Sequence, residues 1–184
     1  MPPHVLLCQA DGRTIGLDLV RGRYFARNGV VAGMPVLTAA ALDLPAADRP
    51  TDLRYRPDVA LAAIVIARIA VRVLSFRSLM RIVAHVSAGS SSAVPDEQRL
   101  AALVREFRTV RRYLPLSKRC LPDSIAMLLF LWLRRSPAEL VIGVTGMPFS
   151  AHCWVQTDRH VLSDVAGTVR RRAPILSSRC LAGI

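Results

Sequence analysis

Lysine is all but missing from this chain of 184 residues: Lys118 is the only one among 25 basic side chains, and arginine supplies the rest. Acidic residues are also scarce, 13 in all, so the formal charge is +12 and an acidic partner surface is expected. Aromatic residues make up only 5%. With the arginines dispersed and no recognisable binding motif, that poverty argues against nucleic acid, whose single strands need stacking platforms and whose duplexes need a concentrated basic face. Cysteine occurs four times, at Cys8, Cys120, Cys153 and Cys180, but never as a CxxC pair. The spacing excludes a disulfide framework and, with no secretory signal read at the N-terminus, the expectation is free thiols in a cytoplasmic protein. Long uncharged apolar runs are lacking too. Between residues 58 and 85 the longest, Val59 to Ala67, stops at Arg68, well short of the roughly 20 residues a spanning helix needs. Arginine beside leucine and isoleucine is also what a helix lying on a membrane surface shows, and that contact is the less favoured alternative.

What is present is enough hydrophobic sequence, 52%, to bury the core of one domain or of one domain with a small module. From His4 to Arg27 the pattern is β. Val5 to Cys8 leads into the turn dipeptide Asp11-Gly12, Ile15, Leu17 and Leu19 alternate onto one face, and Arg21-Gly22 turns the chain into Arg23 to Ala26. The spacing of Leu37, Ala40, Ala41 and Leu44 predicts one short helix between Val30 and Leu44. The proline-bearing stretch up to Pro57 is a connector, so residues 1–56 are expected to form a β-rich module and residues 57–184 a second domain. In that domain Arg68 and Arg72 would lie opposite Arg77 and Arg81 on a single helix at 100° per residue, which predicts two helices broken near Leu74-Ser75-Phe76. A serine-rich loop follows, then a helix opened by Asp96. Its inner face carries Leu100, Leu103, Val104 and Phe107, and Arg99, Arg105, Arg108, Arg111 and Arg112 are expected outside.

The chain is organised around Arg119-Cys120-Leu121-Pro122-Asp123-Ser124 and the apolar run Ile125 to Leu133. Proline favours the first turn of a helix, so Cys120 falls at the start of a helix buried on nearly all sides. There the free N–H groups and the helix dipole favour a thiolate, as do Lys118 and Arg119. A cysteine taken alone is more often a small buried hydrophobe. Beyond this helix, Glu139 to Val144, Phe149 to Thr157 and His160 to Asp164 read as three strands. On the middle one His152, Trp154 and Gln156 share a face, and Ala151, Cys153 and Val155 share the other. A zinc site using His152 with Cys153 is disfavoured by that alternation, and no metal or cofactor is expected. The pattern fits a nucleophile at a helix start, a base on a strand and a carboxylate on the next: Cys120, His152 and Asp164. A two-residue turn, Asp158-Arg159, would put Asp164 opposite Cys153 and away from His152. This reading therefore requires a three-residue loop or a bulge between Thr157 and Val161.

Four segments together, Arg119-Cys120-Leu121, Ala138 to Val144, Pro148 to Val155 and Val161-Leu162-Ser163-Asp164, resemble the leader-processing B proteins of lasso peptide biosynthesis. The resemblance is specific over roughly residues 118–170. It implies an α+β fold with a papain- or transglutaminase-like cysteine protease core, a buried helix packed on an antiparallel sheet, and an N-terminal module similar to a RiPP recognition element. It also implies a Cys-His-Asp triad at Cys120, His152 and Asp164, a lasso precursor as substrate and an asparagine-synthetase-like cyclase as partner. Arg23, Tyr24 and Phe25 on an edge strand, and Trp154 beside the histidine, are the candidate substrate contacts. The chain departs from the family after the histidine, where Cys153 replaces a commonly small residue, and at Gln156, where an acidic one is usual. A transglutaminase-type acyl transferase and a non-catalytic leader-binding scaffold are the alternatives.

Overall fold

The computed structural model describes residues 4–29, 37–46, 53–88 and 96–183. Three strands, β1 (Val5–Ala10), β2 (Arg13–Asp18) and β3 (Arg23–Asn28), form an antiparallel meander in the order β1-β2-β3. Asp11 and Gly12, at φ 50° and 75°, supply the left-handed pair that a tight hairpin turn demands. Ile15, Leu17 and Leu19 face inward as the alternation predicts, and all three are buried.

The second sheet has the order β4-β7-β6-β5-β8. Its members are β4 (Leu42–Asp43), β5 (Glu139–Thr145), β6 (Ser150–Gln156), β7 (His160–Val161) and β8 (Ala173–Ser177). All pairings are antiparallel except β4 with β7. Strand β8 was not foreseen, and the strand expected over His160 to Asp164 is only two residues long. The helix expected between Val30 and Leu44 is absent from its described part, residues 37–44. There Ala40 N–H donates to Gln156 Oε1 (2.9 Å) and Leu42 N–H to the Arg159 carbonyl (3.1 Å), so the backbone spends its groups across the sheet rather than along a helix. Residues on both sides of position 56 thus contribute to this sheet. They also share one core, in which Cys8, Ile15 and Leu17 of the meander meet Ile64, Leu79, Leu103 and Leu128 of the helices.

The helices are α1 (Pro57–Val73), α2 (Phe76–Ala88), α3 (Glu97–Tyr113) and α4 (Cys120–Leu133), with a short α5 (Ala166–Val169). The break expected near Leu74 is present, with Leu74 in an extended conformation that ends α1. Asp96 caps α3 through its side chain, which accepts from Gln98 N–H. Helix α4 occupies the centre, against α1, α2 and α3 on one side and β5 and β6 on the other. From Ser124 to Leu131 it is buried except for half-buried Leu129, whereas Cys120 at its start and Trp132 and Leu133 at its end are exposed. One expected outward arginine folds in: Arg111 donates through Nε and Nη2 to the Asp123 carboxylate. Among the described residues no helix is long and apolar enough to cross a membrane.

Candidate active site

Cys120 is the first residue of α4, where backbone N–H groups have no partner within the helix and the dipole is positive. Two arginines fix this helix start. Arg68 Nη2 and Arg111 Nε both stand 2.9 Å from Asp123 Oδ1. The same guanidinium groups also hold the carbonyls of the preceding link, Ser117 from both sides and Leu116 from Arg111. Asp123 Oδ2 accepts from Arg119 N–H at 3.1 Å. One carboxylate in the first helical turn therefore ties the link, α1 and α3 to the residue before the cysteine.

The sheet opens where this helix arrives. The turn between β6 and β7 is the regular two-residue one: Gln156 pairs with Val161, and Thr157 N–H donates to the His160 carbonyl at 2.9 Å. The irregularity expected between Thr157 and Val161 lies instead just past Val161. The N–H groups of Leu162 and Ser163 both reach the Val155 carbonyl, at 2.8 and 3.4 Å, so two residues oppose one. Val155 N–H donates to Ser163 Oγ rather than to backbone, at 2.8 Å. The extra residue carries Asp164 onto the His152 face, and its Oδ2 lies 2.5 Å from His152 Nε2. A turn that by itself would have kept the two apart is corrected two residues later.

Ending β7 early also bares the edge of β6 at Cys153. Because Val155 directs its N–H and C=O toward the β7 side, Cys153, two residues earlier, directs its own the same way. Helix α4 fills that place. Ser124 Oγ donates to the Cys153 carbonyl at 3.1 Å. This brings the Cys120 sulfur near the Cys153 backbone and thiol and near the His152 ring, close enough for each to act on its ionisation. Since Nε2 is engaged by Asp164, Nδ1 is the ring nitrogen left for the sulfur. Alternation does put Cys153 and His152 on opposite faces, but a helix arriving at the strand edge reaches both.

The electrostatics follow from this placement. Hydrogen bonding by Cys153, then by His152, outweighs partial burial and pulls the Cys120 thiol down to about 4. The same contact with Cys120 is the largest cause raising the His152 imidazole above its ordinary value, with Asp164 adding to it. The Cys153 thiol is pushed well up, first by Cys120 and then by burial. Both shifts run in the same sense, toward a thiolate on Cys120 and a proton on His152.

The candidate substrate contacts divide. Strand β3 pairs with β2 alone, so its other edge is free of strand partners among the described residues. Tyr24 faces inward, 5.5 Å ring to ring from Phe149, and burial above all pushes its hydroxyl up to about 12, with Cys153 and Cys120 close enough to add to the effect. Arg23 and Phe25 lie on the outer face and are exposed, Phe25 over Gly16. Trp154 cannot touch a substrate: it is 0% exposed, its Nε1 donates to Gln156 Oε1, and its ring stacks near His152 at 6.4 Å. It is a floor under the histidine. Gln156, buried as well, receives that bond and gives its own amide to Thr38 O and Glu139 Oε1. A cavity of about 510 Å³ beside α3, lined by Arg105, Arg108 and Arg112, includes Asp164 but neither Cys120 nor His152.

Cys153, Ser124 and Asp123 escaped sequence reasoning. Asp123 left a signal as an acidic residue in a first helical turn, and Cys153 only as a departure from the family beside the histidine.

A central buried helix that begins at a cysteine and packs on an antiparallel sheet bearing a histidine is the arrangement of cysteine proteases and related acyl transferases. The chain belongs to the transglutaminase-like superfamily, whose model matches residues 61–177. No curated protein and no solved structure matches the chain.

Proposed function

We propose that the protein is a cytoplasmic cysteine peptidase that removes the leader from a ribosomally made precursor of lasso type, freeing the core peptide's α-amine for ring closure by an asparagine-synthetase-like cyclase. The observation that carries this reading is the His152–Asp164 pair at 2.5 Å on the strand against which the Cys120 end of α4 packs, with Cys120 close enough to His152 for each to shift the other's ionisation. The likeness of residues 118–170 to the leader-processing B proteins supplies the substrate class. In this mechanism the Cys120 thiolate attacks the scissile carbonyl carbon and the developing oxyanion takes the Cys120 backbone N–H at the helix start. The His152 imidazolium protonates the leaving amine, which departs with the core peptide. Neutral His152 then takes a proton from water as the hydroxide attacks the thioester, releasing the leader carboxylate. Asp164 holds the tautomer and supports the imidazolium. The leader adds to the free edge of β3, which brings it past Tyr24 toward the sulfur.

The test is mass spectrometry of a candidate precursor incubated with the protein, with and without the cyclase. Cleavage by the wild type, and its loss in folded Cys120→Ala and His152→Ala proteins, is the expected result. Cleavage that survives Cys120→Ala overturns it. Capture of the acyl group by an added amine in preference to water would move the protein to the acyl transferases.

A further inference from the structure

We propose that Cys153 is a positioning residue for Cys120: its buried thiol, held at the bare edge of β6, donates its S–H to the Cys120 sulfur and keeps that sulfur anionic before substrate arrives. The inference rests on the reading of Cys120 as nucleophile. It adds a second donor, independent of the imidazole, to the group that does the chemistry.

The geometry makes the pair asymmetric. Cys153 is 4% exposed and belongs to the main core, whereas Cys120 is exposed at a helix start. Of two sulfurs sharing one proton, the buried one loses more on ionising, so the proton stays on Cys153 and is directed at Cys120. A dithiol motif lowers the pKa of its exposed cysteine by the same logic. Cys153 is itself held in place, because its carbonyl accepts from Ser124 Oγ at 3.1 Å and its strand pairs with Ile142.

The other ionisable groups around the sulfur do not replace this donor. Asp123, on α4 itself, is paired with Arg68 of α1 and Arg111 of α3. Tyr24 and Cys8 from the meander are kept protonated by burial, Cys8 pushed up to about 11. Lys118 and Arg119 of the preceding link are exposed. His152, with Asp164 behind it, approaches the sulfur from the opposite face of β6.

The experiment is the pH dependence of alkylation of Cys120 by iodoacetamide, read peptide by peptide so that Cys8 and Cys180 do not contribute. It is run on the full chain and on Cys153→Ala, Cys153→Val and Cys153→Ser, each checked for folding by thermal unfolding. The two donor-less variants are expected to raise the labelling midpoint by about one pH unit, the worth of one hydrogen bond to a charged acceptor. The serine variant, which keeps a donor, is expected to stay near the wild type. A filler of space would alter melting and leave the midpoint where it was. An unmoved midpoint in the folded donor-less variants, or a serine variant that follows them, overturns the proposal. If wild-type Cys120 labels as an ordinary thiol, the peptidase reading falls as well; if its midpoint is low and insensitive to Cys153, only this inference does.

Discussion

Asp164 Oδ2 stands 2.5 Å from His152 Nε2 because two residues, Leu162 and Ser163, share the single carbonyl of Val155. Without that extra residue the carboxylate would sit on the Cys153 face of the strand. The same irregularity ends β7 and leaves the strand edge to which the first turn of α4 is bonded.

Asp164→Asn keeps the shape of the carboxylate but not its charge. Peptide cleavage should fall by roughly two to four orders of magnitude in kcat/KM, since the amide no longer supports an imidazolium. An unchanged melting temperature would place the loss in the chemistry. A variant as active as wild type would remove Asp164 from the mechanism.

The pH profile should be broad. Cys120 is held down to about 4, so the thiolate is present above that pH and is lost as pH falls through it. His152 is raised, so its imidazolium persists above its ordinary value and is lost as pH rises through the raised one. kcat/KM should therefore be bell-shaped, with its acid limb near pH 4 and its basic limb above the ordinary imidazole value, and the two limbs describe the coupled pair rather than either residue. An acid limb at the pH of a free thiol would contradict the ion pair.

Asp123→Ala strips two mostly buried guanidinium groups, Arg68 and Arg111, of their shared acceptor. A cost of about 1.5–3 kcal/mol in unfolding free energy is expected for the lost charge-assisted bonds. Because both arginines also hold the Ser117 carbonyl, Cys120 alkylation should slow even at temperatures where the variant is fully folded. Denaturant unfolding and the labelling rate measure the two effects separately.

Gly143 lies opposite His152 on β5, and a methyl group there would come 2.6 Å from the Trp154 ring and 3.1 Å from Arg172 Cβ. The indole is fully buried and has nowhere to retreat. Gly143→Ala should destabilise the protein by about 1–3 kcal/mol and tilt the floor beneath His152. A neutral change in melting temperature would show that the indole has room to move.

Local rules were enough to place much of this chain. Proline at a helix start put Cys120 at the mouth of α4, helical periodicity broke α1 from α2, and two-residue alternation put Ile15, Leu17 and Leu19 in the core and His152 opposite Cys153. These properties depend on neighbours within a turn or two, so the residues themselves carry them. Other features had to wait for the packed molecule. Arg111 turned inward because an acceptor 12 residues away offered two hydrogen bonds, and Trp154 became a floor because Gln156 and Gly143 gave it a socket. Asp164 joined His152 through a bulge that no periodicity announces. Cys153 reached Cys120 because a helix came in at a strand's edge, and an edge exists only once the rest of the sheet has decided where to stop.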